Sequence, residues 1–174
     1  MQIHQMQLTF DPEQDRLLLR LSTRDQAEFR VWLTRRCVRI LWRALLRMLE
    51  QDRALQGQFD PDTRREVLGM QHEGFVQQGN FSQSFANGAR SLPLGEAPVL
   101  VTQFKTGRKP DGAQLLSLHP TQGKGIDIAL DTRLLHILCK LVQEAVGKAE
   151  WDLALKLVPE APPPGPEARP PRLN

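Results

Sequence analysis

Three stretches near the start of the chain alternate between apolar and polar residues, and the third runs into a stretch with helical periodicity. From Ile3 to Phe10, Met6, Leu8 and Phe10 share one side while Gln5, Gln7 and Thr9 share the other, the mark of a half-buried strand. Asp11 to Asp15 reads as a turn. Arg16 to Thr23 is a second strand, with Leu17, Leu19 and Leu21 on one face and Arg16, Leu18, Arg20 and Ser22 on the other. After a turn at Thr23–Ala27, the third strand puts Phe29, Val31 and Leu33 inside and Arg30 and Trp32 outside. Short links between alternating strands predict an antiparallel meander. Thr34 then stands where a helix N-cap belongs, because its hydroxyl can accept from a free amide of the first turn. The helix expected from Arg35 to about Gln51 is two-faced. Val38, Leu41, Trp42, Leu45, Met48 and Leu49 lie on one arc. Arg35, Arg36, Arg39, Arg43 and Arg47 fall within about 120° on the other.

The same order returns 97 residues later. Val99–Lys105 and Gln114–His119 read as strands separated by the turn Thr106–Gly112. After Pro120–Gly125 comes Ile126–Leu130, then Asp131 in the cap position. A helix follows, with Leu134, Leu135, Leu138, Leu141, Val142 and Val146 on its apolar face. At this offset Phe29 pairs with Ile126, Val31 with Ile128, Leu33 with Leu130 and Arg43 with Lys140. The match is one of pattern rather than identity.

This organisation predicts an α+β fold: two β-β-β-α units, an internal pseudo-repeat, forming antiparallel sheet with helices packed on one side. One domain is expected over 1–158, made of repeat 1 (1–51), a helical and loop crossover (52–97) and repeat 2 (98–158). Within the crossover, Asp62–Gln78 has helical character that Gly69 and Gly74 weaken by about 1 kcal/mol each. Residues 79–97 read as a long connection, and Phe75, Phe81 and Phe85 either pin it to the body or engage a ligand. Trp151, Leu153, Leu155 and Leu157 alternate with polar or small residues, which favours a strand over a helix there. Residues 159–174 are rich in proline and are expected to form a disordered or polyproline II tail.

Composition narrows the function less than it narrows the fold. The chain has 174 residues, 40% hydrophobic and 25% charged, ordinary values for a globular protein. A net charge of +3 does not by itself demand a polyanion. The N-terminus lacks the basic and apolar segments of a signal peptide, and no apolar run approaches the roughly 20 residues of a membrane helix. A cytoplasmic location without membrane contact is therefore expected. Cys37 and Cys139 lie in separate helices with no metal-finger spacing and read as small buried hydrophobes. The four histidines, His4, His72, His119 and His136, share no metal-binding spacing. Phosphate-loop, zinc-protease and Gly-x-Ser-x-Gly patterns are missing. The chain is therefore expected to be no enzyme and to need no cofactor.

What remains is surface chemistry. The strand face opposite the leucines carries Arg16, Arg20, Arg30 and Trp32. Guanidinium groups beside an indole suit single-stranded nucleic acid, whose bases stack at roughly 1–3 kcal/mol each. Arg36, Arg39, Arg43 and Arg47 on the first helix would be auxiliary phosphate contacts. Residues 34–49 hold five arginines and no acid. The leading expectation is a nucleic-acid-binding protein that prefers single-stranded DNA or RNA. The alternative is an interaction or assembly factor that uses the same sheet face for oligomerisation or an acidic partner. A homo-oligomer is expected under either. A third account makes the strand arginines ordinary ion pairs with Glu28 or Asp15.

A sheet meander followed by a helix, used twice, resembles the PUR-repeat and Whirly-type proteins. The resemblance covers residues 1–158 at the level of topology. It implies binding of single-stranded DNA or RNA on curved sheets, together with oligomerisation. It rests on no signature motif and on three strands per unit where those families have four, and no residue role is carried over from it.

Overall fold

A computed structural model of the chain describes residues 2–51, 60–79, 84–86 and 88–157. The first three alternating stretches are strands β1 (Ile3–Asp11), β2 (Arg16–Thr23) and β3 (Glu28–Thr34). They pair antiparallel, with Leu8 opposite Leu19, Leu19 opposite Val31 and Leu17 opposite Leu33. Because side chains alternate across the pleat, this register collects the leucines on one face and the arginines on the other. Thr34 caps α1 (Arg35–Glu50), its hydroxyl accepting from the Cys37 amide at 3.2 Å. In the second half, β6 (Gln114–His119) and β7 (Ile126–Leu130) lead to Asp131. Its carboxylate accepts from the Leu134 amide at 2.7 Å and caps α3 (Thr132–Ala149).

Between them, α2 (Pro61–Gln78) starts at Asp60, whose carboxylate accepts from the amides of Asp62 and Thr63 at 3.0 Å each. This helix forms despite Gly69 and Gly74, because it has α3 to pack on. It buries Leu68 and leaves Met70 in water.

The stretch expected as one strand over 99–105 divides. Its first part, β4 (Val99–Leu100), lies parallel to β3, with Val31 opposite Val99 and Trp32 opposite Leu100. The rest, β5 (Gln103–Arg108), pairs antiparallel with β6. The reason is the alternation of backbone amides along an extended chain. Val101 N–H donates to the Trp32 carbonyl at 3.0 Å, and the next amide, Thr102, donates the other way to His119 at 2.9 Å. The fold is thus α+β with two sheets, β1-β2-β3-β4 and β5-β6-β7, rather than antiparallel sheet throughout.

Helix α1 runs on from β3 and lies beside β5. The Cys37 thiol donates to the Val101 carbonyl at 3.0 Å at one end, and the Arg108 guanidinium donates to the Gln51 carbonyl at the other. Arg108 there meets the negative end of the helix. Between these anchors the buried Gln114 carboxamide donates to the Met48 carbonyl at 3.1 Å. The inner faces of both sheets and residues of all three helices form one apolar cluster. Gly125 is needed where the chain enters β7, because a Cβ there would collide with the Leu118 carbonyl and the His119 ring.

Residues 151–157 form neither strand nor helix. Asp152 has φ +52°, which breaks an extended run. The alternating apolar side chains dock instead. Trp151 and Leu157 are buried, the Trp151 indole donates to Asp15 at 2.6 Å, and its ring meets Phe10 edge-on at 6.0 Å. The proline-rich tail and Phe81 lie outside the described residues.

Candidate nucleic-acid interface

Among the charged side chains of the first half, the acid that decides the electrostatics of the sheet face is Glu28. It opens β3 opposite Ser22 and is only 6% exposed. Arg20 Nε donates to its carboxylate at 2.8 Å, and Arg30 Nε approaches the same oxygen to 3.9 Å. Arg20 and Arg30 are cross-strand partners on β2 and β3, so two like charges stand side by side and Glu28 offsets them. Arg20 reaches further, to the Gln7 side-chain oxygen at 3.4 Å. Its guanidinium also lies 4.1 Å from the centre of the Phe85 ring, within cation–π range. Phe85 is 7% exposed and arrives from the long connection after α2. Of the two accounts offered for that ring, attachment of the connection to the body is the one the contacts support.

Farther along the same face the arginines give way to an apolar strip. Leu18 pairs with Trp32 across β2 and β3, and Trp32 with Leu100 across β3 and β4. Leu18 and Trp32 are half-buried and Leu100 is 36% exposed. Arg16, half-buried, sits at the end of β2 opposite Asp11 and Thr34. The structure therefore brings Arg16, Arg20, Arg30 and Trp32 onto one face, but as an ion-paired end and an apolar end.

Arg36, Arg39, Arg43 and Arg47 lie elsewhere. The face of α1 that buries Val38, Leu41, Trp42, Leu45, Met48 and Leu49 turns inward, and all five arginines from Arg35 to Arg47 are exposed on the opposite face. The core separates this row from the outer face of the sheet, so the eight expected residues form two surfaces. None of the five helix arginines makes an ion pair with a described residue. Arg35 and Arg36 occupy the first turn, which contains no acid, at the positive end of the helix dipole. That placement costs stability instead of adding it.

One pairing has no counterpart in the sequence pattern. His72 of α2 and His136 of α3 bring their Nδ1 atoms to 3.1 Å, and Phe75 stacks on His136 with ring centres 5.2 Å apart. A contact of that length requires one ring to donate and the other to accept, so the two rings cannot both be protonated at Nδ1. Burial and the nearby Lys140 charge hold the His72 pKa below its ordinary value, with Glu73 opposing them. The two residues are 64 positions apart, and only the packing of α2 on α3 could reveal them.

The remaining chemistry is quiet. Both cysteines are buried and free, and burial pushes the Cys139 thiol up to about 12. Asp127 is held below the usual carboxylate range by hydrogen bonds from Ser117 and His119, the latter at 3.1 Å. Among the described residues no group of three or more His, Cys, Asp or Glu side chains could hold a metal, and no helix is long and apolar enough to cross a membrane. No protein-family model matches the chain, and no curated protein or solved structure matches it either.

Proposed function

We propose that this is a non-catalytic nucleic-acid-binding protein whose main contact surface is the arginine row of α1. The observation that carries the reading is that row itself: five exposed guanidinium groups, two of them at the unfavourable end of the helix, without a described acidic partner. Arg35, Arg39, Arg43 and Arg47 succeed one another at a rise of about 6 Å, and the row is about 18 Å long. A polyphosphate strand laid along it would relieve the mutual repulsion of the arginines and the clash with the helix dipole together. Preference for single strands rests on the sheet face, where the Trp32 ring is flanked by Leu18 and Leu100 and can accept a stacked base. Three antiparallel strands and a capped helix precede α2 as β1-β2-β3-α1, and the same order follows the short β4 as β5-β6-β7-α3. Read as an internal repeat, it keeps the outline similar to the PUR-repeat and Whirly-type single-strand binders.

The test is titration of a labelled oligonucleotide against salt. Binding should weaken with a log–log slope of about −0.7 for each phosphate neutralised on a single strand. Arg39→Glu and Arg43→Glu should each make the slope shallower by about that amount. Failure to bind either single strands or duplex at low salt would sink the proposal.

A second reading has its own observation. The exposed Leu100 beside Trp32 and Leu18 forms an apolar strip on an open face, suited to self-association. Light scattering decides here: Trp32→Ala should convert a dimer to a monomer while oligonucleotide binding along α1 persists.

A further inference from the structure

We propose that the segment from Ser84 to Ala86, with Gly88 to Ser91, is an intrachain strap that masks the arginine end of the sheet face, Phe85 standing where a base would stack beside the Trp32 platform. The inference rests on the nucleic-acid reading and adds its regulation.

Three contacts carry it. The centre of the Phe85 ring lies 4.1 Å from the Arg20 guanidinium, a separation at which a nucleobase can also stack on arginine. The Gln5 carboxamide, on the same face, donates to the Ser84 carbonyl at 3.5 Å and accepts from the Ala86 amide at 3.0 Å. This is two-point recognition of a flat polar edge, the kind such an amide can offer to a base. Farther on, the Glu28 amide donates to Ser91 at 3.0 Å and the Arg90 amide donates to Gln26 at 2.8 Å. The strap thus ties itself to the ion-paired end of the face, around Arg20, Gln5 and Glu28, and leaves the apolar end at Trp32 uncovered.

The attachment is strong enough to compete and weak enough to yield. Ala27 and Ser91 make a single isolated bridge rather than a ladder. A half-open pocket of about 600 Å³ is lined by Ala86 and Gly88 together with Ser22 and Glu28 of the sheet and Gln26 of the turn between β2 and β3. The Ser22 hydroxyl is buried there with no hydrogen-bond partner. The strap is therefore held by one ring and a few hydrogen bonds, not by a packed apolar layer. Gly88 has φ +117°, a conformation that glycine adopts without strain, and provides a bend between the Phe85 contact and the Ser91 contact. A single strand that displaced Phe85 would gain Arg20 and Gln5 and reach Trp32 beyond them. A duplex, whose bases are already stacked, would gain none of these.

The experiment compares labelled oligothymidylate and a duplex on the wild-type chain, on Phe85→Ala and on Phe85→Leu. Removing the ring should tighten single-strand binding by about tenfold, because the masked fraction no longer taxes the affinity, and should leave duplex binding unchanged. Phe85→Leu, which loses the ring over Arg20 and keeps an apolar side chain at a buried position, should act in the same direction more weakly, and it carries the test if Phe85→Ala does not fold. Unchanged or weakened single-strand binding in the folded variant would overturn the strap. Hydrogen exchange separates this from failure of the parent reading. Saturating oligothymidylate should speed exchange at the Ala86 and Arg90 amides of the wild-type chain. If they stay protected while binding through α1 proceeds, the strap is wrong and the nucleic-acid reading stands. If no oligonucleotide binds any of the three proteins at low salt, both fall.

Discussion

Helices α1 and α3 follow the same kind of meander, start at the same kind of cap and enter the same core, yet their outer faces are treated differently. The second helix is supported across much of its surface. Lys140 pairs with Glu144 at 3.2 Å, Arg133 reaches the Gln78 carbonyl at 3.4 Å, Lys148 stands in the last turn, and α2 packs on its buried His136. The first helix has a basic residue in its last turn too, Arg47, but its outer face shows arginines around an exposed Ile40 with no acidic partner among the described residues, and it places two of them where the helix dipole opposes them. Burial was solved alike in the two helices. Surface charge was partly offset in α3, where Glu144 stands among Arg133, Lys140 and Lys148, and far less in α1, where Glu50 at the helix end is the one acid against five arginines. An imbalance that stability does not require is where a partner is to be sought.

The comparison is broken most severely at the core. Leu45→Ala in α1 and Leu138→Ala in α3 remove fully buried side chains from one shared cluster. Each should cost about 2–5 kcal/mol and shift a single denaturation transition. Two separable transitions, one per variant, would show that the halves fold apart. The caps come next. Thr34→Ala and Asp131→Ala should each lower stability by about 1 kcal/mol in chemical denaturation, and a large inequality between them would end the equivalence of the helix starts. Arg36→Glu should go the other way. An acid in the first turn of α1 should raise the melting temperature, a gain of about 0.3–1 kcal/mol, while weakening oligonucleotide binding. A loss of stability instead would mean that the row is a structural device.

The smallest effect belongs to the α2–α3 contact and depends on pH. The folded chain resists protonating His72, chiefly through burial and then through the Lys140 charge. Unfolded chains therefore bind more protons once the pH drops below the ordinary value of 6.5. Stability should be level above that pH, then decline as the pH falls toward the lowered value of the folded state. His72→Gln should flatten the decline. Denaturation midpoints measured from neutral to mildly acidic pH provide the check, and an unchanged slope in the variant would remove the histidine pair from the account.

Much of the local structure was legible because it depends on near neighbours. Leu17, Leu19 and Leu21 alternate, so β2 and its buried face followed from period two. Thr34 and Asp131 precede periodic apolar stretches, and both cap. Where the outcome depended on distant partners, the pattern misled or said nothing. The alternation of Trp151, Leu153, Leu155 and Leu157 described four docking side chains without a neighbouring strand to make a ladder. Val99–Lys105 read as one strand because nothing local to it shows that β3 waits on one side and β6 on the other. The candidate site divided in the same way. Exposure of the α1 arginines could be inferred from helical period alone. The pairing of Arg20 and Arg30 with Glu28, and the arrival of Phe85 over Arg20, needed the register and the path of the crossover.

By itself, then, the sequence determined which faces are apolar, where two helices begin and which surface carries excess charge, because each follows from spacing along a chain of known geometry. The tertiary structure alone decided that the meanders form two sheets joined at Val101 and Thr102. It also decided that two histidines 64 residues apart share a hydrogen bond, and that the arginines of the sheet face meet Glu28 and Phe85 while those of α1 meet no acid among the described residues. Those outcomes come from contacts between residues far apart in the chain. Their geometry is set by how whole elements pack, which no local spacing encodes.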